Sequence, residues 1–178
     1  MSNLKWEILV IGRGGQGVLI LGRVLGLAAS LANLYSVVTE TYEAETRGGQ
    51  SRSDVIIASS MAEAEYIKVQ SPDVAIFMYP FSVESYKSTF RPSTVILIDE
   101  EFVNPELFKD YKVISARFTE VAEKESGTRR AANMAILGKL IKETKIMSLE
   151  HVKMALKELI QPEWLEVNIK ALEAGFNI

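Results

Sequence analysis

Apolar side chains come first in one dense run, then at helical spacing, and then in short blocks set apart by polar turns. Residues 4–11, LKWEILVI, combine β-branched and large apolar side chains and stop at Gly12, as a buried first strand would. From Gln16 to about Ala32, Val18, Leu21, Leu25, Leu27 and Ala28 mix with Gly22, Gly26 and Ala29. That spacing predicts a helix, apolar on more than one side, whose small residues let it lie close to a sheet or partner. YSVVTETYE from Tyr35 and SDVIIAS from Ser53 read as strands, set up as antiparallel neighbours by the polar segment between them. Residues 73–79 (DVAIFMY) and 94–98 (TVILI) are nearly continuous apolar runs, the pattern of strands covered on both faces. Pro72 and Pro80 bound the first, and KVISA at 112–116 adds another strand.

Short helices are expected at 83–89, opened by Ser82 as cap, and at 105–109, where Asn104 caps and proline takes the first position. From Thr128 the chain turns helical: RRAANMAILGKLIKET, then LEHVKMALKELI after Ser148, then PEWLEVNIKALEA, with proline inside its start and Gly175 at its end. Strands separated by helices predict a three-layer α/β/α sandwich with a mostly parallel or mixed central sheet and a helical C-terminal part. One domain spanning residues 1–178 suits the length.

Composition narrows the function classes. A formal net charge of −3 argues against a broad electropositive surface, and so against nucleic acid as a main partner. With no cysteine, the chain forms neither a disulfide nor a thiolate-ligated zinc or iron–sulfur site. The start, MSNLKWE, carries no apolar signal core, and no apolar run approaches bilayer length, so the chain reads as cytoplasmic.

Gly12, Arg13, Gly14, Gly15, Gln16 and Gly17 satisfy GxGxxG directly after a strand and before a helix. Glycines admit positive φ and close backbone approach, and a helix N-terminus offers unpaired N–H groups to a phosphate, with Arg13 as a charged donor at the rim. From spacing alone, a phosphate site and a merely tight strand-to-helix turn are equally open. A dinucleotide site also wants an acidic residue about twenty positions on, a place Glu40, Glu43 and Glu45 fill loosely. The segment at 42–52 gathers Arg47, Gly48, Gly49 and Arg52 between strands, so Arg47 and Arg52 are candidates to converge on an anion at the first loop. Composition alone favours a plain hairpin with two solvated arginines.

Other polar and aromatic residues take bland readings. His151, the only histidine, has no triad partners. Arg129, Arg130 and Asn133 make a polar start to an apolar helix, expected as an anchor or subunit contact outside the site. Trp6 and Trp164 read as packing residues, or as part of a subunit seam if exposed.

Together, GRGGQGV at 12–18, TETYEAETRGGQSRSDVIIAS at 39–59, SPDVAIF at 71–77, TRRAANMAILGKL from Thr128 and NIKALEAGF from Asn168 resemble the gamma subunit family of 2-oxoacid:ferredoxin oxidoreductases, over nearly the whole chain. Where that family usually has Gly-Pro-Glu and alanine after the tyrosine, this chain has Glu43, Ala44, Glu45 and Thr46. The resemblance implies an accessory subunit of a complex that oxidatively decarboxylates a 2-oxoacid, most like the 2-oxoglutarate enzyme, to an acyl-coenzyme A with reduction of ferredoxin. It implies thiamine diphosphate and iron–sulfur clusters on alpha, beta and ferredoxin-like delta partners, and a share for this chain in binding coenzyme A. Gly12 to Gly17 with Arg47, Gly48 and Gly49 are then the expected cofactor-binding residues, and no catalytic residue or metal ligand is expected here. Two other readings are a stand-alone NAD(P)-binding oxidoreductase and a purely structural scaffold.

Overall fold

In a computed structural model, which describes residues 4–43, 49–64 and 67–178, a mixed six-stranded sheet is ordered β2-β3-β1-β4-β5-β6. The strands are β1 (Lys5–Arg13), β2 (Tyr35–Tyr42), β3 (Gln50–Ala58), β4 (Val74–Phe77), β5 (Val95–Asp99) and β6 (Lys112–Ala116). β1, β4, β5 and β6 run parallel, while β3 pairs antiparallel with both β1 and β2. The helices are α1 (Val18–Leu31), α2 (Val83–Lys87), α3 (Phe118–Ser126), α4 (Ala132–Thr144), α5 (Leu149–Leu159) and α6 (Pro162–Asn177).

Side-chain alternation divides the strands between two cores, as a period of two requires. Ile8, Val10, Val55, Ile57, Val74, Ile76 and Leu97 pack against the helix-rich layer of α1, α3, α4, α5 and α6. Leu9, Ile11, Ile56, Ala75, Phe77, Ile96 and Ile98 pack against Val69, Val83, Val103 and Phe108 in a thinner layer of α2 and short 3-10 turns. Because both faces are covered, β1, β4 and β5 read as unbroken apolar runs. The sandwich and the antiparallel β2–β3 pair match the sequence reading.

Two local expectations need correction, and one helix has no counterpart in the sequence reading. Ser82 stands at the start of α2, but its side chain does not cap the helix; its hydroxyl donates to Gln50 Oε1 at 3.2 Å. Gly175 does not end the last helix, which continues to Asn177; its missing side chain lets α6 lie on the backbone of α4 at Ala135. Helix α3 was not anticipated. Its N-terminus is fixed by buried Asp99 at the end of β5, whose carboxylate accepts the N–H and hydroxyl of Thr119 at 3.0 and 2.5 Å.

Glu7, buried in β1, ties down the connection into β4. Its carboxylate accepts the N–H groups of Gln70 and Ser71 at 2.8 and 3.1 Å and pairs with Lys5 at 2.8 Å. Burial pushes this carboxyl upward, but Lys5 and the two N–H donors outweigh it and hold it below its usual value. A carboxyl held low in the folded state stabilises the fold above its unfolded pKa, and that contribution is lost as pH falls through the folded value. Glu7→Gln should therefore flatten the loss of stability of the wild-type chain below about pH 5, while costing on the order of 1 kcal/mol at neutral pH. Urea unfolding at a series of pH values would show it, and parallel pH profiles for both proteins would contradict it.

Candidate functional site

The glycine turn lies at the C-terminal edge of β1, where the parallel strands end and the chain passes into α1. Each glycine has its own reason. At Gly12 a Cβ would meet Val18 Cγ2 at 2.6 Å, so this position lets α1 fold back against the strand. At Gly14 the nearest atoms belong to the exposed Tyr42 ring, 3.2 Å away. Gly15 and Gly17 have φ of 92° and 76°, values an L side chain adopts only under strain. Gly15 has nothing within 4 Å of where its Cβ would be, so packing does not explain it. Gly17 has Asn133 Nδ2 only 2.3 Å from that point.

Several donors and acceptors of the turn are consumed internally. Gln16 Oε1 accepts the N–H of Arg13 at 2.7 Å while its Nε2 donates to Met78 O at 3.0 Å, clamping the turn to the end of β4. The N–H of Gly14 donates to Gly49 O at 2.9 Å, which is how buried Gly49 takes part. Asn133, 3% exposed at the start of α4, donates to Gly17 O at 3.1 Å. What remains is the first turn of α1. No side chain caps it, and the N–H groups of Gly17, Val18 and Leu19 have no hydrogen-bond partner among the described residues. These donors, with the positive end of a 14-residue helix, suit a phosphate or another anion.

Two grooves flank the turn. One, about 560 Å³, is lined by Gly14, Gly15, Val18, Arg23, Tyr42 and Ser51. The other, about 410 Å³, runs from Gly15, Gly17 and Ile20 past Arg130 and Asn133 to Leu159 and Trp164. A recess of about 170 Å³ adjoins Gly15 and Gln16, with Arg129 and Arg130 on its wall.

The sequence-derived site is therefore only partly gathered. Gly12 to Gly17 and Gly49 come together, whereas Arg47 and Gly48 lie outside the described residues, as does Glu45. Arg13 is exposed, its guanidinium 5.8 Å from the centre of the Tyr79 ring. Arg52 does not reach the turn. Ser53 and Val55 of β3 face α1, so Arg52 and Asp54 point through the opposite face. There Arg52 forms a fork with buried Asp54 at 2.7 and 2.6 Å and lies over the ring of Tyr86. Glu40, the candidate ribose acid, is held by both arms of Arg23 at 2.6 and 2.7 Å. His151 sits at the start of α5 with Nδ1 2.9 Å from Ser148 Oγ.

Arg129, Arg130, Asn133 and Trp164, which sequence reasoning set aside, border the turn. Arg129 is bound to Glu101 and, at 3.0 Å, to Glu123. Asn133 had a legible signal, because an amide within an otherwise apolar helix run needs a partner. Asp99, behind the recess, is pushed above the usual carboxylate range by burial, against the hydrogen bonds of Thr119 and the charge of Arg129.

Known proteins of this architecture share the chain's full extent. Residues 7–178 match the family described as pyruvate ferredoxin/flavodoxin oxidoreductase. The chain is 36% identical over 182 residues to the 2-oxoglutarate synthase subunit KorC of Methanothermobacter thermautotrophicus, covering 98% of this chain and 95% of that protein. The solved gamma subunit of a keto/oxoacid ferredoxin oxidoreductase from Geobacter sulfurreducens superposes with a TM-score of 0.77 at 25% identity, covering 97% of this chain and 96% of that one. A 2-oxoglutarate:ferredoxin oxidoreductase from Magnetococcus marinus, with 2-oxoglutarate, coenzyme A and succinyl-CoA bound, shares the fold at a TM-score of 0.81 and 24% identity, covering 97% of this chain and 30% of that one.

Proposed function

Because the chain belongs to the pyruvate ferredoxin/flavodoxin oxidoreductase family, we propose that it is the gamma subunit of a 2-oxoglutarate:ferredoxin oxidoreductase and that its glycine turn helps to hold the acceptor, coenzyme A. The observation that carries the second half is the uncapped start of α1, where three N–H groups without a partner among the described residues lie beside Gly15, which packing does not require to be glycine. Coenzyme A carries a pyrophosphate and a 3′-phosphate, the groups such donors bind. The KorC relative, by its name a 2-oxoglutarate synthase subunit, supports the choice of oxoacid, and the Magnetococcus enzyme supports coenzyme A as a ligand of the assembly.

In this reading the chain's residues bind and orient and do no bond-breaking. Decarboxylation belongs to thiamine diphosphate on partner alpha and beta subunits. With no cysteine here, thiolate-ligated iron–sulfur clusters also belong to partners, with a ferredoxin-like delta among them. Gln16 and Asn133 fix the turn from either side, so its N–H groups are aimed before the ligand arrives, which lowers the ordering cost of binding. The scaffold reading accounts for Gly12, whose Cβ would collide with Val18, and for Gly15 through its φ of 92° alone, since no packing neighbour requires a glycine there. The dinucleotide reading is weakened by Arg23, which already occupies Glu40.

Affinity purification of the tagged chain should bring down its partners and an activity that reduces ferredoxin with 2-oxoglutarate only when coenzyme A is present. Preference for another 2-oxoacid would correct the substrate; a chain that elutes alone and inactive under gentle conditions would defeat the proposal.

A further inference from the structure

We infer that Gln50 and Tyr86 are positioning residues for the glycine turn, holding it through the Gly49 carbonyl from the face of the sheet opposite α1; this rests on the coenzyme A reading above. A polar chain runs through the thinner, mainly apolar layer. Gln50, 8% exposed, has both ends of its amide engaged: Nε2 donates to Tyr86 Oη at 2.6 Å, and Oε1 accepts the hydroxyl of Ser82 at 3.2 Å. Beside it, Arg52 lies over the Tyr86 ring and forks onto Asp54, whose Oδ1 also accepts the N–H of Val69 at 3.0 Å. The Tyr86 ring in turn meets Phe77 edge-on, 6.1 Å between centres. Apolar side chains of similar volume would fill this layer without the desolvation that an amide, a hydroxyl and an ion pair incur. What a bonded polar network supplies is one defined arrangement of the groups it joins.

Those groups lead to the turn. Gln50 follows Gly49, stands opposite Arg13 in the β1–β3 ladder, and accepts the N–H of Glu43 through its backbone oxygen at 2.9 Å. Gly49 O accepts the N–H of Gly14 at 2.9 Å, so the strand end that the Gln50 amide anchors also carries an attachment point of the turn. Gln16 ties the turn to Met78 and Asn133 ties it to the start of α4; Gly49 is the tie from β3. Ser82 supports the same assignment. At φ 50° it holds a left-handed conformation that a serine keeps only where its surroundings impose it, and its hydroxyl bonds Gln50 instead of capping α2. Removing the Tyr86 hydroxyl leaves Gln50 Nε2 without its partner, loosens the end of β3 at Gly49, and frees Gly14 to shift with the donors that follow it.

The test is steady-state kinetics of the assembled complex, with coenzyme A and 2-oxoglutarate varied in turn, together with amide hydrogen exchange over residues 12–17. The variants are Tyr86→Phe, Gln50→Leu, Glu7→Gln and Gly17→Ala. Tyr86→Phe should raise KM for coenzyme A about fivefold, leave kcat and KM for 2-oxoglutarate unchanged, and speed exchange in the turn. Gln50→Leu should do the same, and the double variant no more than Gln50→Leu alone, because both act through one hydrogen bond. Glu7→Gln, which removes a buried polar anchor elsewhere in the sheet, should change neither KM nor exchange in the turn. An unaltered KM for coenzyme A in Tyr86→Phe, while Gly17→Ala still raises it, would overturn the inference and leave the coenzyme A reading standing. An equal rise in Glu7→Gln would overturn it too, by tracing the effect to lost stability. If Gln50→Leu does not assemble, Tyr86→Phe decides alone. A KM for coenzyme A that Gly17→Ala also leaves unchanged would instead remove the reading on which the inference rests.

Discussion

Gly175→Ala is expected to destabilise the chain by about 3 kcal/mol or more, lowering its melting temperature by roughly 6–12 °C, although it adds a single methyl group to an α-helix. On intrinsic propensity the change should help, since alanine favours a helix over glycine by about 1 kcal/mol. Contact geometry decides otherwise. A Cβ at Gly175 would fall 1.8 Å from Ala135 O and 2.7 Å from Ala135 Cα, and across the same seam a Cβ at Gly138 would fall 2.0 Å from Leu172 O. These are backbone atoms, so no rotamer change relieves the clash; α6 would have to move away from α4, opening the core around Leu172, Ala135 and Leu137. Gly138→Ala should cost a similar amount, and the double variant less than the sum, because helices already forced apart accommodate the second methyl. Gly127→Ala is the control: φ is 81° there, but nothing lies within 4 Å, so only backbone strain of about 1–2 kcal/mol is expected. Thermal or urea unfolding would decide, and a Gly175→Ala protein no less stable than Gly127→Ala would refute the close seam.

That seam also shows where the sequence is legible and where it is not. A glycine after a helical run looks the same whether it ends the helix or lets another backbone cross it; only φ and the neighbour distinguish them, and Gly175 is not among the positive-φ residues. β4 and β5 are legible because burial on both faces writes itself as an apolar run, whereas the half-buried edge strand β6 (Lys112–Ala116) coincides with KVISA without such a run. Helix α3 was hidden because only Phe118, Thr119 and Ala122 are buried, and its position depends on Asp99, twenty residues upstream. Parity decides against Arg52 as an anion ligand. Once β3 is known to begin at Gln50, Ser53 and Val55 facing α1 send Arg52 to the far face. At the site, the GxGxxG spacing located the turn, but Arg130 and Trp164 reach it from segments over a hundred residues away, through packing that no local pattern encodes.

Gly17→Ala should reduce coenzyme A affinity of the assembled complex by at least tenfold while the complex still forms, and it should do so through two separable costs. Gly17 sits at φ 76°, so alanine there carries left-handed strain of about 1–2 kcal/mol; its Cβ would also lie 2.3 Å from Asn133 Nδ2, the atom that donates to Gly17 O. Relief requires the turn to open or Asn133 to swing away, and either re-aims the N–H groups at the start of α1. Asn133→Ala alone removes the hydrogen bond, worth about 1 kcal/mol, and leaves the left-handed turn in place. In the double variant the clash is gone and only strain and the lost bond remain, so its loss of stability should be smaller than the sum of the single losses by about 1 kcal/mol or more. Coenzyme A binding should not recover with it, because the strain that re-aims the donors stays. Gly14→Val is the milder comparison: its Cβ is tight only against the exposed Tyr42 ring and stands at an ordinary 3.5 Å from Gly49 O, so a smaller affinity loss is expected. Strictly additive stability losses for Gly17 and Asn133 would show that their contact does not hold the turn, and full recovery of coenzyme A binding in the double variant would show that the left-handed conformation at Gly17 is not what aims the donors.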